Sequence, residues 1–256
     1  MTAGRVPDGP GAAAPAAGTP AATVGWVLGF GSLVDPDDPL VRRMAVEGRA
    51  VMGTVEGMRR TWAAGLDNAA AEHDGKHHRD ADGRRPDVVV AALSADEDRA
   101  SAMNVLALPV DADGLARTDA RERGYERLEV GARFRPDPVP GRGDGGPASG
   151  GVTATRPDGD RVAAFASATP SPPPSGAVPI MGPVWIYTAT AATRALTAEA
   201  VAEGRAVVSA AYVERVEEAF AARGPRALDA YRASTDAPPF PRMDLRLHWA
   251  GVRPGE

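Results

Sequence analysis

The sequence predicts an α+β fold, a mainly antiparallel mixed β-barrel with flanking helices. Segments with the pattern of strands come first, helical spacing dominates the C-terminal part, and one short helical stretch separates the strands. Strands and helices therefore alternate too rarely for a doubly wound parallel sheet. Hydrophobic residues make up 43% of the 256 residues and aromatic residues 5%, so the core must consist largely of Val, Leu and Ala.

The N-terminal part combines a low-complexity stretch with the first strands. Residues 1–22 are mainly Ala, Pro, Gly and Thr, which predicts a disordered tail. Residues 24–28 are apolar and β-prone, and they predict a buried strand that enters a tight turn at residues 29–31. Residues 40–44 predict a short helix or turn. Residues 49–63 then predict a long strand or a hairpin.

The middle of the chain carries further strands around one short helix. Residues 88–90 and 105–110 are apolar and predict two separate strands. Residues 115–123 predict a short helix that stops at Gly124, since glycine suits the position after a helix end. Residues 125–130 alternate between apolar and charged side chains, as in a half-buried strand.

Two composition breaks interrupt what we interpret as a single domain over residues 23–250. Residues 67–87 are polar and predict a solvated loop or insertion. Residues 131–180 are rich in Pro, Gly and Asp, and a structureless loop of that length is uncommon inside a compact domain. We therefore interpret residues 131–180 as a second insertion, partly disordered, with one plausible strand at 161–168.

The C-terminal part is predicted to be mostly helical. Residues 183–187 are strongly β-prone and predict a further strand. Residues 208–223 place apolar side chains at helical spacing and end at Gly224 and Pro225, which predicts a helix. Residues 226–233 predict a second, shorter helix.

Composition excludes several classes of function. The net charge is −5 with both signs interspersed, so no basic surface favours nucleic acid. The absence of cysteine excludes disulfides, thiolate nucleophiles and cysteine-ligated metals, and fits a reducing compartment. No apolar run approaches the roughly 20 residues of a membrane-spanning helix, and prolines interrupt the N-terminal stretch. We expect a cytoplasmic globular protein with neither nucleic acid nor membrane as partner.

The glycine-rich segment at residues 29–33 is the first candidate for chemistry. A strand that ends in Gly-x-Gly-Ser turns sharply and exposes successive backbone N–H groups, which can bind a carboxylate or stabilise an oxyanion. An ordinary glycine turn is the alternative on pattern alone. A dinucleotide-binding fingerprint is excluded, because it needs a third glycine where Val34 stands.

Two charged segments are weaker candidates. Residues 121–127 form a charged helix end, and spacing alone does not distinguish Glu122 from Glu126 or Glu129, so solvated surface charges are the alternative. His73 and His77 have the i, i+4 spacing of metal ligands on a helix, but the intervening glycine and polar surroundings argue against a helix. We predict no metal site there. Serine catalysis also lacks its G-x-S-x-G elbow.

Several segments together resemble the γ-glutamylcyclotransferase-like superfamily. Gly29-Phe30-Gly31-Ser32-Leu33 resembles the Tyr-Gly-Ser-(Asn/Leu) loop of these proteins, although Phe30 replaces the tyrosine. Residues 55–62 look like the family's next strand. Asp119-Ala120-Arg121-Glu122-Arg123-Gly124-Tyr125 is similar to the LDxRE-x-GY segment of the ChaC-type branch, in which the Glu is catalytic. Residues 184–187 and 209–224 resemble the late strand and helix, and the matches follow the family's order over most of residues 24–235.

The resemblance implies a reaction and a set of site residues. The α-amine of a γ-glutamyl group would attack its own γ-carbonyl, releasing 5-oxoproline and an amine without metal or cofactor. Glu122 would be the catalytic acid and base. Substrate-binding residues would be Phe30, Gly31, Ser32, Leu33, Tyr125 and Tyr187. The partner would be a small γ-glutamyl compound, its identity left open by Phe30 and Leu33, and the protein a monomer or homodimer. The alternatives are a non-catalytic binder of a small ligand on the same fold, or an interaction protein that uses residues 131–180.

Overall fold

A computed structural model describes residues 22–45, 50–71, 75–138 and 180–249. The strands in chain order are β1 Gly25–Gly29, β2 Val51–Asp67, β3 Lys76–Arg79, β4 Val89–Val110, β5 Tyr125–Glu129, β6 Phe134–Pro136, β7 Val184–Ala189, β8 Ala206–Ser209, β9 Arg242–Met243 and β10 Arg246–Trp249. The α-helices are α1 Pro39–Met44, α2 Ala112–Arg121, α3 Ala191–Ala202, α4 Ala210–Ala221 and α5 Pro225–Ala233. The predicted tail and the predicted strand at 161–168 lie outside the described residues.

One mixed sheet with the order β5-β7-β1-β4-β2-β6 curls into a half-barrel, and helices lie around it. The longest strands, β2 and β4, pair antiparallel along most of their length, and their register shifts near Gly57 and again after Thr61. Such bulges bend and twist a strand pair, which accounts for the curl. Gly57 has a φ of 71°, in the region that favours glycine.

The sheet is mixed, as the sequence predicted, and most of its strand pairs are antiparallel. β1 runs parallel to β7, and β8 runs parallel to both β4 and β9. The core lies against the sheet and consists mainly of Val, Leu and Ala, with Phe220 of α4 fully buried. The α+β class is therefore confirmed in its coarse form. No helix among the described residues is long and apolar enough to cross a membrane.

The prediction of two strands at 88–90 and 105–110 is wrong, because both belong to the 22-residue strand β4. Polar residues such as Ser94, Asp96 and Glu97 made the middle of this strand look like a loop. In the structure the middle of β4 pairs with β2. The Asp96 carboxylate accepts hydrogen bonds from the hydroxyls of Thr61 and Ser94 and from the guanidinium of Arg194.

The polar segment 67–87 is also more ordered than a solvated loop. Its strand β3 pairs antiparallel with β10, and these two strands form a ribbon that we call the β3–β10 ribbon. Asn68 is fully buried and bonds both the N–H and the carbonyl of His78, at 2.5 and 3.0 Å. The partner of β3 is β10, near the C-terminal end of the described residues. Local sequence patterns therefore do not predict that these two strands pair.

Helix boundaries follow the capping residues. The helix predicted at 115–123 is α2, which begins earlier because Asp111 caps it, and which ends at Arg121 with Glu122 as the C-terminal cap. The helices predicted at 208–223 and 226–233 are confirmed as α4 and α5, with Ser209 capping α4. Helix α3 was not predicted. Of the second insertion, residues 131–138 are described and contain β6, which pairs with β2.

Candidate functional site

The turn after β1 is held in a close-packed conformation. A Cβ on Gly29 would lie 2.5 Å from the Leu33 carbonyl oxygen, and one on Gly31 would lie 2.8 Å from the Tyr212 hydroxyl. Gly29 is therefore required by the close approach of backbone, and a side chain at Gly31 would have to displace the Tyr212 hydroxyl. The N–H groups of Gly31, Ser32 and Leu33 donate to no acceptor within the described part of the chain. The turn thus presents three successive backbone donors.

Two of the predicted substrate-binding residues belong to the core. The side chain of Phe30 is buried, and so is that of Leu33, both in the main hydrophobic cluster. Their side chains are therefore packing residues and not groups that contact a ligand. The Phe30 carbonyl is already engaged, since Arg60 Nε donates to it at 2.8 Å.

Arg60 is a fully buried arginine beneath the turn. Its guanidinium also donates to the Ser234 hydroxyl at 2.7 Å and to the Asn104 side-chain oxygen at 3.1 Å, and it lies 4.9 Å from the centre of the Phe220 ring. Burial lowers the pKa of Arg60 to about 9. These contacts fix the position of the Phe30 carbonyl at the start of the turn. We therefore interpret Arg60 as a structural residue that stabilises the conformation of the turn.

Arg121 joins the turn to Glu122. Its Nη2 donates to the Ser32 hydroxyl at 3.0 Å, and its Nε lies 3.2 Å from Glu122 Oε1 in an ion pair. The Glu122 side chain is 16% exposed, so it does not face open solvent. Glu122 itself makes no hydrogen bond with the turn in the described residues. The structure therefore connects Glu122 and the turn through Arg121, a residue without a predicted role.

Asp38 holds Arg121 in place. The Arg121 Nη1 donates to both carboxylate oxygens of Asp38, at 2.8 and 2.9 Å, while the same carboxylate caps α1 by accepting from the Leu40 N–H. Burial alone would raise the pKa of Asp38, but the Arg121 guanidinium and these hydrogen bonds bring it below its ordinary value. Burial opposes the charge of Arg121 as well, yet the carboxylates of Glu122 and Asp38 raise its pKa. The pair is therefore charged at neutral pH.

Two tyrosines lie beside this cluster. Tyr125 donates its hydroxyl to the Leu93 carbonyl at 2.8 Å. Tyr212 comes from α4, and its hydroxyl lies against Gly31. Burial raises the pKa of both phenols, and the charge of Glu122 raises each of them further. Both phenols are therefore neutral near Glu122. Tyr125 was predicted from the sequence and Tyr212 was not, because its approach to the turn depends on how α4 packs.

Tyr187, the remaining predicted residue, has a different partner. It donates its hydroxyl to the Asp119 carboxylate on α2 at 2.5 Å, and Arg127 pairs with the same carboxylate at 2.8 Å. Burial and the bond to Asp119 raise the pKa of Tyr187. Tyr187 therefore ties β7 to α2, and the structure does not bring it to the turn.

A cleft of about 590 Å³ lies elsewhere on the molecule. Its lining includes Trp62, Asp96, Arg194 and Asp236, and none of the predicted site residues. Arg194 donates to both oxygens of Asp96 at 2.6 and 2.7 Å, so the charged groups of this cleft already satisfy each other. Among the described residues, no group of three or more His, Asp or Glu side chains is arranged to hold a metal ion.

Comparison with known proteins adds no assignment. No protein-family model matches the chain, and no curated protein sequence matches it significantly.

Proposed function

We propose that the chain is a γ-glutamylcyclotransferase-type enzyme on a γ-glutamylcyclotransferase-like fold, converting a γ-glutamyl amide or peptide to 5-oxoproline and the free amine. The observation that carries the proposal is the cluster in which Arg121 contacts both Ser32 of the turn and Glu122. This contact supports a site in which the Glu122 carboxylate would transfer protons and the N–H groups of the turn would bind the substrate. The absence of cysteine is compatible with a cytoplasmic location.

The proposed reaction needs few catalytic groups because nucleophile and electrophile belong to one molecule. The α-ammonium loses a proton to Glu122, and its nitrogen then bonds to the γ-carbonyl carbon to close a five-membered ring. The bond from that carbon to the departing nitrogen breaks, and Glu122 returns the proton to this nitrogen. The ring nitrogen loses its second proton to leave a neutral lactam, and the departing amine takes up this proton and leaves as an ammonium. Selecting the folded-back rotamer supplies much of the acceleration, as effective molarities of intramolecular reactions are high.

The turn and the tyrosines account for the remaining requirements. The N–H groups of Gly31, Ser32 and Leu33 suit either the α-carboxylate of the substrate or the oxyanion that develops on the γ-carbonyl. The phenols of Tyr125 and Tyr212 are neutral, the Tyr125 hydroxyl is already bonded to the Leu93 carbonyl, and the Tyr212 hydroxyl lies against Gly31 of the turn. Arg121 orients Glu122 and the Ser32 hydroxyl together, so we interpret it as a positioning residue.

Release of 5-oxoproline from a panel of γ-glutamyl compounds tests the proposal. The Glu122→Gln variant removes the proton carrier while keeping the shape of the side chain, so we expect activity to fall by at least about 100-fold. Glu129→Gln is the matched control, because Glu129 is exposed at the end of β5. If Glu122→Gln and Glu129→Gln are equally active, Glu122 does not transfer protons in the reaction. A wild-type protein inactive on the whole panel would refute the proposed function.

A further inference from the structure

One face of the β3–β10 ribbon carries four basic side chains. Arg79 lies directly opposite Arg246 across the ribbon, and His77 lies directly opposite His248. Side chains that are opposite each other in an antiparallel pair, or two residues apart on one strand, share a face. The contacts agree, because the His77 and His248 ring centres are 4.9 Å apart and Arg79 Nε donates to His77 Nε2 at 3.2 Å. We call these four residues the basic face.

The two arginines of the basic face have too few carboxylates around them. Like charges directly opposite each other destabilise a strand pair. Among the described residues, Asp244 lies 3.9 Å from Arg246 with 63% of its side chain exposed, and no carboxylate lies within ion-pair distance of Arg79. The Asp80 carboxylate accepts instead from the backbone N–H of Arg84 at 2.8 Å. Asp244 therefore offsets at most one of the two positive charges.

Two neighbouring imidazoles are also the ligands that a transition metal prefers, but this arrangement is unsuited to a cation. His77 Nε2 already accepts the hydrogen bond from Arg79, so its lone pair is occupied. The guanidinium groups of Arg79 and Arg246 repel a metal ion at the same place. The charges and the hydrogen bond of the basic face therefore favour an anion.

The donors of the basic face suit a phosphoryl group. A guanidinium presents parallel N–H groups that bind two phosphate oxygens at once. Desolvation, Arg79 and His77 lower the pKa of His248, so this imidazole is neutral at neutral pH and the arginines supply the positive charge. A phosphate monoester carries nearly two negative charges at neutral pH and so matches both arginines.

Buried contacts anchor both strands that carry the basic face. Asn68 fixes β3 through its two bonds with His78, and His77 is itself buried. The Leu245 carbonyl, just before β10, accepts a hydrogen bond of 2.6 Å from the Ser209 hydroxyl. The backbone positions of the two arginines are therefore set by the fold.

We propose that Arg79 and Arg246 bind a dianionic phosphoryl group on the basic face, with His77 and His248 as hydrogen-bonding neighbours. The inference goes beyond the proposed function and does not depend on it, because none of these four residues belongs to the candidate site. Inorganic phosphate and a phosphorylated small molecule carry the same group, so the test includes both.

Calorimetric titration with sodium phosphate and with glycerol phosphate, at neutral pH and constant ionic strength, tests the proposal. The proteins are the wild type, Arg79→Gln, Arg246→Gln and Arg42→Gln. Glutamine keeps a polar side chain while removing the charge. Arg42→Gln is the matched control, because it changes the net charge equally on α1, where 63% of the Arg42 side chain is exposed.

We expect Arg79→Gln and Arg246→Gln each to weaken binding by at least about tenfold, the effect of removing a hydrogen bond between charged groups. Arg42→Gln should leave the affinity unchanged. Tighter binding of glycerol phosphate assigns the basic face to a phosphorylated small molecule, and tighter or equal binding of phosphate assigns it to the free ion. No binding to the wild type, or equal weakening in all three variants, overturns the proposal.

Hydrogen exchange places the bound anion. Phosphate should slow exchange of the β3 and β10 amides in the wild type and not in Arg79→Gln, because a ligand protects the element to which it binds. Slowing confined to the amides of Gly31, Ser32 and Leu33 would place the anion in the turn and overturn the proposal. Failure to release 5-oxoproline refutes the proposed function and leaves this result unaffected.

Discussion

The Asp38–Arg121 ion pair fixes the end of α2 beside the turn, and Asp38→Asn tests how much it stabilises the fold. The Asp38 side chain is 8% exposed and that of Arg121 14%, so the pair is nearly removed from water. Asparagine keeps one oxygen for the cap of α1 but leaves the guanidinium without this carboxylate. The Arg121 guanidinium then keeps the Ser32 hydroxyl as a neutral partner and the Glu122 carboxylate, which lies against Nε.

The magnitude follows from burial. Removing one partner of a buried ion pair lowers the free energy of unfolding by about 3–5 kcal/mol. Because Glu122 stays beside Arg121, we expect the lower end, about 3 kcal/mol. For a chain of this size that lowers the melting temperature by roughly 6–12 °C. Thermal and urea unfolding followed by circular dichroism measure both quantities.

The neighbouring Asp37 provides the control. It pairs with Arg42 at 2.6 Å, but the two side chains are 82% and 63% exposed. Exposed pairs contribute about 0–1 kcal/mol, so Asp37→Asn should leave the free energy of unfolding almost unchanged. Equal destabilisation by Asp37→Asn and Asp38→Asn would refute the argument from burial.

The same pair predicts a pH dependence. The pKa of Asp38 is lower in the folded protein than its ordinary value of 3.8. Its contribution to stability is therefore fully present above about pH 3.8 and is lost as the pH falls from there through the folded-state pKa. The difference in unfolding free energy between wild type and Asp38→Asn should be constant near neutral pH and shrink in this acidic range. A difference that persists unchanged in acid would contradict the assignment of the charge.

Two further predictions concern the turn and the ribbon. Gly31→Ala should lower the free energy of unfolding by about 1–3 kcal/mol, since its Cβ would meet the Tyr212 hydroxyl. Adding Tyr212→Phe should recover part of this loss in thermal unfolding, and no recovery would place the strain elsewhere. Asn68→Ala leaves the polar backbone of His78 without its partner. Hydrogen exchange at the His78 amide should rise by at least about tenfold, and unchanged exchange would show that the ribbon does not depend on Asn68.

Local sequence patterns predicted those elements whose environment is uniform along their length. Strand β1 is buried throughout, and α4 has one apolar face, so the predictions at 24–28 and 208–223 were close to the observed bounds. Strand β4 passes from the core to a polar middle and back, and its continuity depends on pairing with β2. The β3–β10 ribbon joins residues about 170 positions apart, which no window of local sequence can detect.

The residues of the candidate site also fall into two groups, those that the sequence indicated and those that depend on contacts between distant segments. The turn and Glu122 were predicted together because the resemblance supplied their relation, and the structure brings both to one guanidinium group. The part played by Arg121 depends on how the end of α2 meets Asp38 of a distant segment, so composition alone assigned it to a charged surface.

Product analysis in ¹⁸O-labelled water distinguishes cyclisation from hydrolysis, because cyclisation uses no water and hydrolysis does. We expect the wild type to convert a γ-glutamyl compound to unlabelled 5-oxoproline and an equal amount of amine, and Glu122→Gln to produce neither above background. Glutamate carrying ¹⁸O as the product, or unlabelled 5-oxoproline formed at the same rate by Glu122→Gln, would contradict the proposed cyclisation at Glu122.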